Sequence, residues 1–146
     1  MPKRFTLTEA QGLIPEVSRL LSAAVSLKAE YEKAERELRA STERIMTMGG
    51  VTIDRDSVRE VKARRDSAAA RLPKAIERVQ EVGCHVKDLD IGLVDFPTLF
   101  RGVEVYLCWK LGEPAIEFWH GVDEGFAKRK AIDSAFRQNH HGDREQ

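Results

Sequence analysis

From Leu13 onward the apolar positions recur at intervals of four and three without a slip: Leu13, Val17, Leu20, Ala24, Leu27, Tyr31, Ala34, Leu38, Ser41, Ile45 and Met48. Ser41 is the one polar member, so the spacing predicts a helix with a heptad seam over about five heptads. Thr6-Leu7-Thr8-Glu9 has the form of a capping box, with Phe5 placed to act as a hydrophobic staple. Pro15 lacks the amide that would bond back to Gln11 and predicts a kink. Gly49-Gly50 supplies the helix stop. Such a helix would run about 60 Å, too long to bury in one compact domain of this size. A second seam follows, through Val58, Val61, Arg65, Ala68, Leu72, Ala75, Val79 and Val82, with Asp54 or Asp56 as cap, Pro73 as a second kink and Gly83 as stop. The short linker folds the two helices back as an antiparallel, coiled-coil-like hairpin.

The period changes after Gly83. Val103–Trp109 and Ala115–His120 alternate apolar and polar residues, and Gly112-Glu113-Pro114 between them makes a hairpin. His85–Lys87 and Leu93–Phe96 are shorter strands, the second bounded by Pro97. The expected fold is therefore α+β: a long antiparallel helical hairpin (1–83), a small antiparallel sheet of three or four strands (84–132), and a disordered tail (133–146) poor in apolar residues. One hairpin leaves half of each apolar stripe exposed, so a homo-oligomer joined through the helices is expected.

Charge refines this picture. The 24 basic and 24 acidic side chains among 146 residues cancel, but residues 83–126 hold three basic against eight acidic groups. A neutral chain lacks the basic excess that neutralises phosphates, so nucleic acid is not an expected partner. No run approaches the roughly 20 apolar residues of a membrane span. Without a secretory segment the expected compartment is the cytoplasm, where Cys84 and Cys108 stay reduced.

The candidate chemistry sits in the acidic segment. His120 ends a strand, Asp123 and Glu124 follow across a bend, and Cys108 lies on the partner strand of the same hairpin. A thiolate, an imidazole and a carboxylate form a ligand set suited to Zn²⁺ or Fe²⁺, so Cys108, His120 and Asp123 are the expected ligands. Asp95, Glu113 and Glu124 are additional ligands or groups that support them. The rival reading is a non-enzymatic adaptor whose aromatic β module docks a protein partner through Trp109 or Trp119. A third is a small-molecule pocket floored by Trp109 and rimmed by Asp95 and Glu113. Each aromatic taken singly reads first as sheet packing, and no residue carries a catalytic signature.

The segments Phe5–Ala10, Leu13-Ile14-Pro15, Lys87-Asp88, Gly92–Pro97, Leu107–Pro114 and Trp119-His120-x-x-Asp123-Glu124-Gly125-Phe126 together resemble the domain of unknown function 2203 family of prokaryotic proteins. The resemblance extends to about Ile132 and implies a cytosolic bacterial protein with a helical front half and a short, motif-bearing back half. It brings no reaction or substrate with it. Its polar pattern falls on Asp95, Cys108, Glu113, His120 and Asp123, which strengthens the metal reading over packing alone.

Overall fold

The computed structural model describes residues 3–48 and 54–143. Helix α1 runs over Leu7–Met48 and α2 over Arg55–Glu81. Strands β1 (His85–Asp88), β2 (Leu93–Phe100), β3 (Val103–Lys110), β4 (Phe118–Gly121) and β5 (Lys130–Ala131) follow, then the short helix α3 (Ser134–Asn139) and β6 (His140–His141). The fold is α+β.

The capping box forms as the sequence predicts: Thr6 N–H donates to Glu9 Oε1 at 2.9 Å and Glu9 N–H donates to Thr6 Oγ1 at 3.1 Å. Asp54 caps α2 by accepting from the amides of Asp56 and Ser57. Gly83 follows α2 with φ of 116°, a conformation that favours glycine. Pro15 and Pro73 both lie inside continuous helices. The Gly49-Gly50 stop and the Met48 side chain fall outside the described residues.

The seams meet along the hairpin. Every α2 seam position from Val58 to Val82 is buried or half-buried, and Ile76 is the one further α2 residue that is not exposed. On α1 the fully buried line near the N-terminus is Leu7, Ala10, Ile14, Val17 and Leu21, while the seam residues Leu13 and Leu20 are half-buried. The offset arises because this end of α1 has two partners, α2 and the sheet. Past Ala34 no described α1 side chain is fully buried, and Ile45 is 43% exposed.

The sheet is antiparallel in the order β1-β2-β3-β4-β5, with β6 added beside β2. Four strands of at least four residues are joined by two of only two residues. Three sequence expectations change here. The strand beginning at Leu93 does not stop at Pro97 but continues to Phe100. The outer edge of β2 is covered in three pieces: β1 pairs at 93–95, Phe5 N–H donates to Pro97 O at 2.7 Å, and β6 pairs at 99–100. Pro97 O points away from β3, so the missing amide of Pro97 faces this interrupted edge and removes no bond to β3. The final strand of the hairpin begins at Phe118 rather than Ala115, because Ile116 N–H is taken by Gln11 Oε1 on α1 at 2.8 Å.

The third change is the tail. Residues 133–143 are ordered. Phe136 is fully buried and stacks on Phe100 and Trp119, with centroids 4.9 and 5.0 Å away. His140 Nε2 accepts the N–H of Leu7 at the start of α1, and Asp143 bonds the backbone of Arg4. A single aromatic anchor and main-chain pairing hold a segment that hydropathy alone marks as unstructured.

Residues alternate across the pleat. Val94, Phe96, Val105, Leu107 and Trp109 join Phe5, Ala10, Val17 and Leu21 in one core between sheet and helices. Asp95, Tyr106, Cys108, Phe118 and His120 occupy the opposite face.

Candidate metal centre

Strand register assembles the cluster. Asp95 on β2 is directly opposite Cys108 on β3, and Cys108 is opposite Phe118 on β4. His120, two residues beyond Phe118, is opposite Tyr106 and so stands diagonal to Cys108 on the same face. One ligand atom from each of Asp95, Cys108 and His120 lies within 4.8 Å of the other two. All three side chains are buried, Asp95 and Cys108 completely and His120 to 3% exposure. Among the described residues this is the one such group of three or more. It could hold a metal ion.

Hydrogen bonding orients the imidazole. His120 Nδ1 lies 2.8 Å from the carbonyl oxygen of Gly121, which can only accept, so Nδ1 carries a proton. Nε2 then faces Asp95 Oδ1 at 3.0 Å. The second oxygen of that carboxylate, Oδ2, is buried and has no hydrogen-bond partner. Burial pushes the Cys108 thiol up to about 12, with Asp95 adding to the effect and Arg129 opposing it. Cys84 is likewise raised to about 11 by burial, with Asp95 adding to the effect; its thiol donates to Val79 O inside the core and is not part of the cluster. Both cysteines are free thiols.

The remaining candidates fall elsewhere. Asp123 is exposed in the turn after β4 and is not part of the cluster; Asp95, expected as an additional ligand, takes that place. The reason is local. The turn brings Glu124, not Asp123, back onto Gly121, where Glu124 Oε1 accepts the Gly121 amide and Lys130 Nζ. These donors hold the Glu124 carboxyl below its usual range, Lys130 contributing most. Glu113 is spent on Arg129, which donates to both of its oxygens, and on the Lys110 amide at 2.7 Å.

Trp109 is 2% exposed in the core, its indole N–H donating to Glu113 O, so as folded it offers no surface to a partner. Nor can it floor a pocket rimmed by Asp95, since the two lie on opposite faces of the sheet. Trp119 is half-buried against Phe100 and Phe136.

The sequence reading missed Arg129. Its guanidinium lies between the rings of Phe118 and Phe126, 3.9 and 4.6 Å from their centroids, with Nη1 4.0 Å from Cys108 Sγ. A run of three cations, Lys128-Arg129-Lys130, reads as solvated surface, and only the aromatic residues around it hint otherwise. His85 and Tyr106 were also not singled out. They flank the cluster, His85 opposite Asp95 and the Tyr106 ring between the His85 and His120 rings at 6.1 and 5.6 Å.

Residues 3–132 match the family model of the uncharacterised conserved proteins DUF2203. The chain belongs to this family. The DUF2203 match includes all three cluster residues and stops before α3 and β6. No curated protein and no solved structure matches the chain. Among the described residues no helix is long and apolar enough to cross a membrane.

Proposed function

We propose that this protein binds a divalent transition metal ion, zinc or iron, through Asp95, Cys108 and His120. The observation that carries the reading is the unpartnered Oδ2 of a fully buried carboxylate, set beside an imidazole whose proton is already committed to Gly121. A buried polar atom left without a partner costs about 1–3 kcal/mol, more when charged. An Nδ1-protonated imidazole offers only a lone pair towards a carboxylate, so something positive belongs between them. A single proton satisfies that contact and leaves Oδ2 with only the weak Cys108 S–H as a neighbouring donor; a cation can satisfy both. The donor set fits: thiolate, imidazole and carboxylate together suit Zn²⁺ or Fe²⁺ and disfavour magnesium or calcium, which take oxygen ligands.

Such an ion would tie β2, β3 and β4 together, and its binding would displace the Cys108 proton. Three protein ligands leave a fourth position, but the complete burial of two of them favours an ion that stabilises the β module over one turned to solvent.

The test is elemental analysis of protein purified without a histidine tag. About one zinc or iron per chain is expected, lost in His120→Ala. Less than about a tenth of an equivalent, unchanged by that substitution, overturns the proposal.

A further inference from the structure

We infer that Glu124 is a positioning residue that clamps the Gly121 peptide and thereby fixes which nitrogen of His120 faces Asp95. Residue 124 grips Gly121 from both sides. Its carboxylate oxygen Oε1 accepts the Gly121 N–H at 2.7 Å, and its own N–H donates to the Gly121 carbonyl at 3.0 Å. That carbonyl is the acceptor of the His120 Nδ1 proton, at 2.8 Å. Lys130, on the strand paired with β4, holds the carboxylate from the other side.

Any residue but proline at 124 could supply the backbone donor. A side chain that also reaches back to the Gly121 amide needs an acceptor at the end of a two-carbon stem, which glutamate has. Position 121 is crowded by the same side chain: a Cβ there would lie 3.0 Å from Glu124 Oε1 and 3.6 Å from its Cγ and Cδ, so Glu124 would have to give way. One device thus accounts for the glycine and the glutamate of the His120-Gly121-x-x-Glu124 segment.

The clamp has a chemical consequence. A neutral imidazole beside a carboxylate ordinarily turns an N–H towards it. Here the fixed carbonyl claims a proton on Nδ1, so in the neutral ring Nε2 is the nitrogen left to present a lone pair towards Asp95. With the clamp released, the Gly121 carbonyl can rotate away, the proton can move to Nε2, and the lone pair is lost from the cluster. Groups that orient a ligating histidine in this way typically change metal affinity by about 10–100-fold when removed. That consequence for affinity rests on the metal-binding reading; the effect on the ring itself does not.

The experiment compares the full chain with Glu124→Ala, Glu124→Gln and Gly121→Ala. Long-range ¹H–¹⁵N NMR of the imidazole in metal-free protein at about pH 8 is paired with zinc affinity by chelator competition. Glu124→Ala and Gly121→Ala are expected to move the His120 proton off Nδ1 in a large share of molecules and to weaken zinc about 10–100-fold. Glu124→Gln keeps the acceptor oxygen and should stay within about threefold of the parent. A Glu124→Ala protein with the parent's Nδ1 proton and affinity overturns the clamp, as does a Glu124→Gln protein as impaired as Glu124→Ala. Should the parent bind no zinc, the metal reading falls, and the position of the proton in Glu124→Ala alone decides the clamp.

Discussion

Among the three clustered side chains, Asp95 is the one whose placement is hardest to account for without a cation. Its neighbours along β2, Val94 and Phe96, are fully buried and packed in the core, and its own second oxygen has no partner. Asp95→Asn keeps the shape and removes the charge. Metal-free, that variant should match or exceed the parent in stability, by up to about 3 kcal/mol, because it removes a buried charge and can donate an amide N–H to His120 Nε2. It should also take up no zinc or iron. Denaturant titration and elemental analysis on the same preparation check both halves, and a destabilised variant that still holds metal refutes them. At this scale the sequence was partly legible. Cys108 and His120 are the only cysteine–histidine pair that the strand hairpin brings together, so adjacency predicted them. Spacing along the chain favours Asp123 over Asp95 because it lies nearer to His120. Cross-strand register, which sets Asp95 opposite Cys108, is invisible to spacing along one segment.

At the scale of elements, local signals with a hydrogen-bonding mechanism carried through. The capping box at Thr6, the Asp54 cap and the glycine after α2 all form where their residue types require. What failed was inference from proline as a strand breaker and from hydropathy where tertiary contacts decide: Pro97 lies inside β2, and the segment 133–143 carries α3 and β6. That segment makes its own prediction. Phe136 is fully buried between Phe100, Trp119 and the His140 ring. Phe136→Ala should remove about 3 kcal/mol or more of packing, comparable to all that holds so short a helix in place. Limited proteolysis should then cut within residues 133–143 while the sheet stays intact. Cleavage at the parent's rate would show that the backbone bonds to Leu7 and Arg4 suffice on their own.

At the scale of the whole molecule, the two buried thiols impose a pH dependence. In the folded metal-free chain Cys84 is raised to about 11 and Cys108 to about 12, from an ordinary 9.0. Above pH 9 the unfolded chain releases two protons that the folded chain keeps, so it binds fewer protons and folding stability falls with rising pH. The loss should set in near pH 9 and continue to about 11–12, at up to about 1.4 kcal/mol per pH unit for each thiol. Denaturant midpoints measured from pH 8 to 11 should decline, and the Cys84→Ala,Cys108→Ala double variant should flatten the curve.

The hairpin sets a different gradient. The inner stretch of α1 is shielded by both the sheet and α2, whereas beyond Ala34 no described side chain of α1 is fully buried and the pairs Glu35–Arg65 and Glu37–Arg64 are partly solvated. Opening can therefore start where burial is least, beyond Ala34, and travel towards the sheet one turn at a time without disturbing the cluster. Amide exchange with deuterium should quicken progressively along α1 from Val17 to Ile45, and run in mirror order along α2. Uniform protection along both helices would mean that something else clasps the outer end.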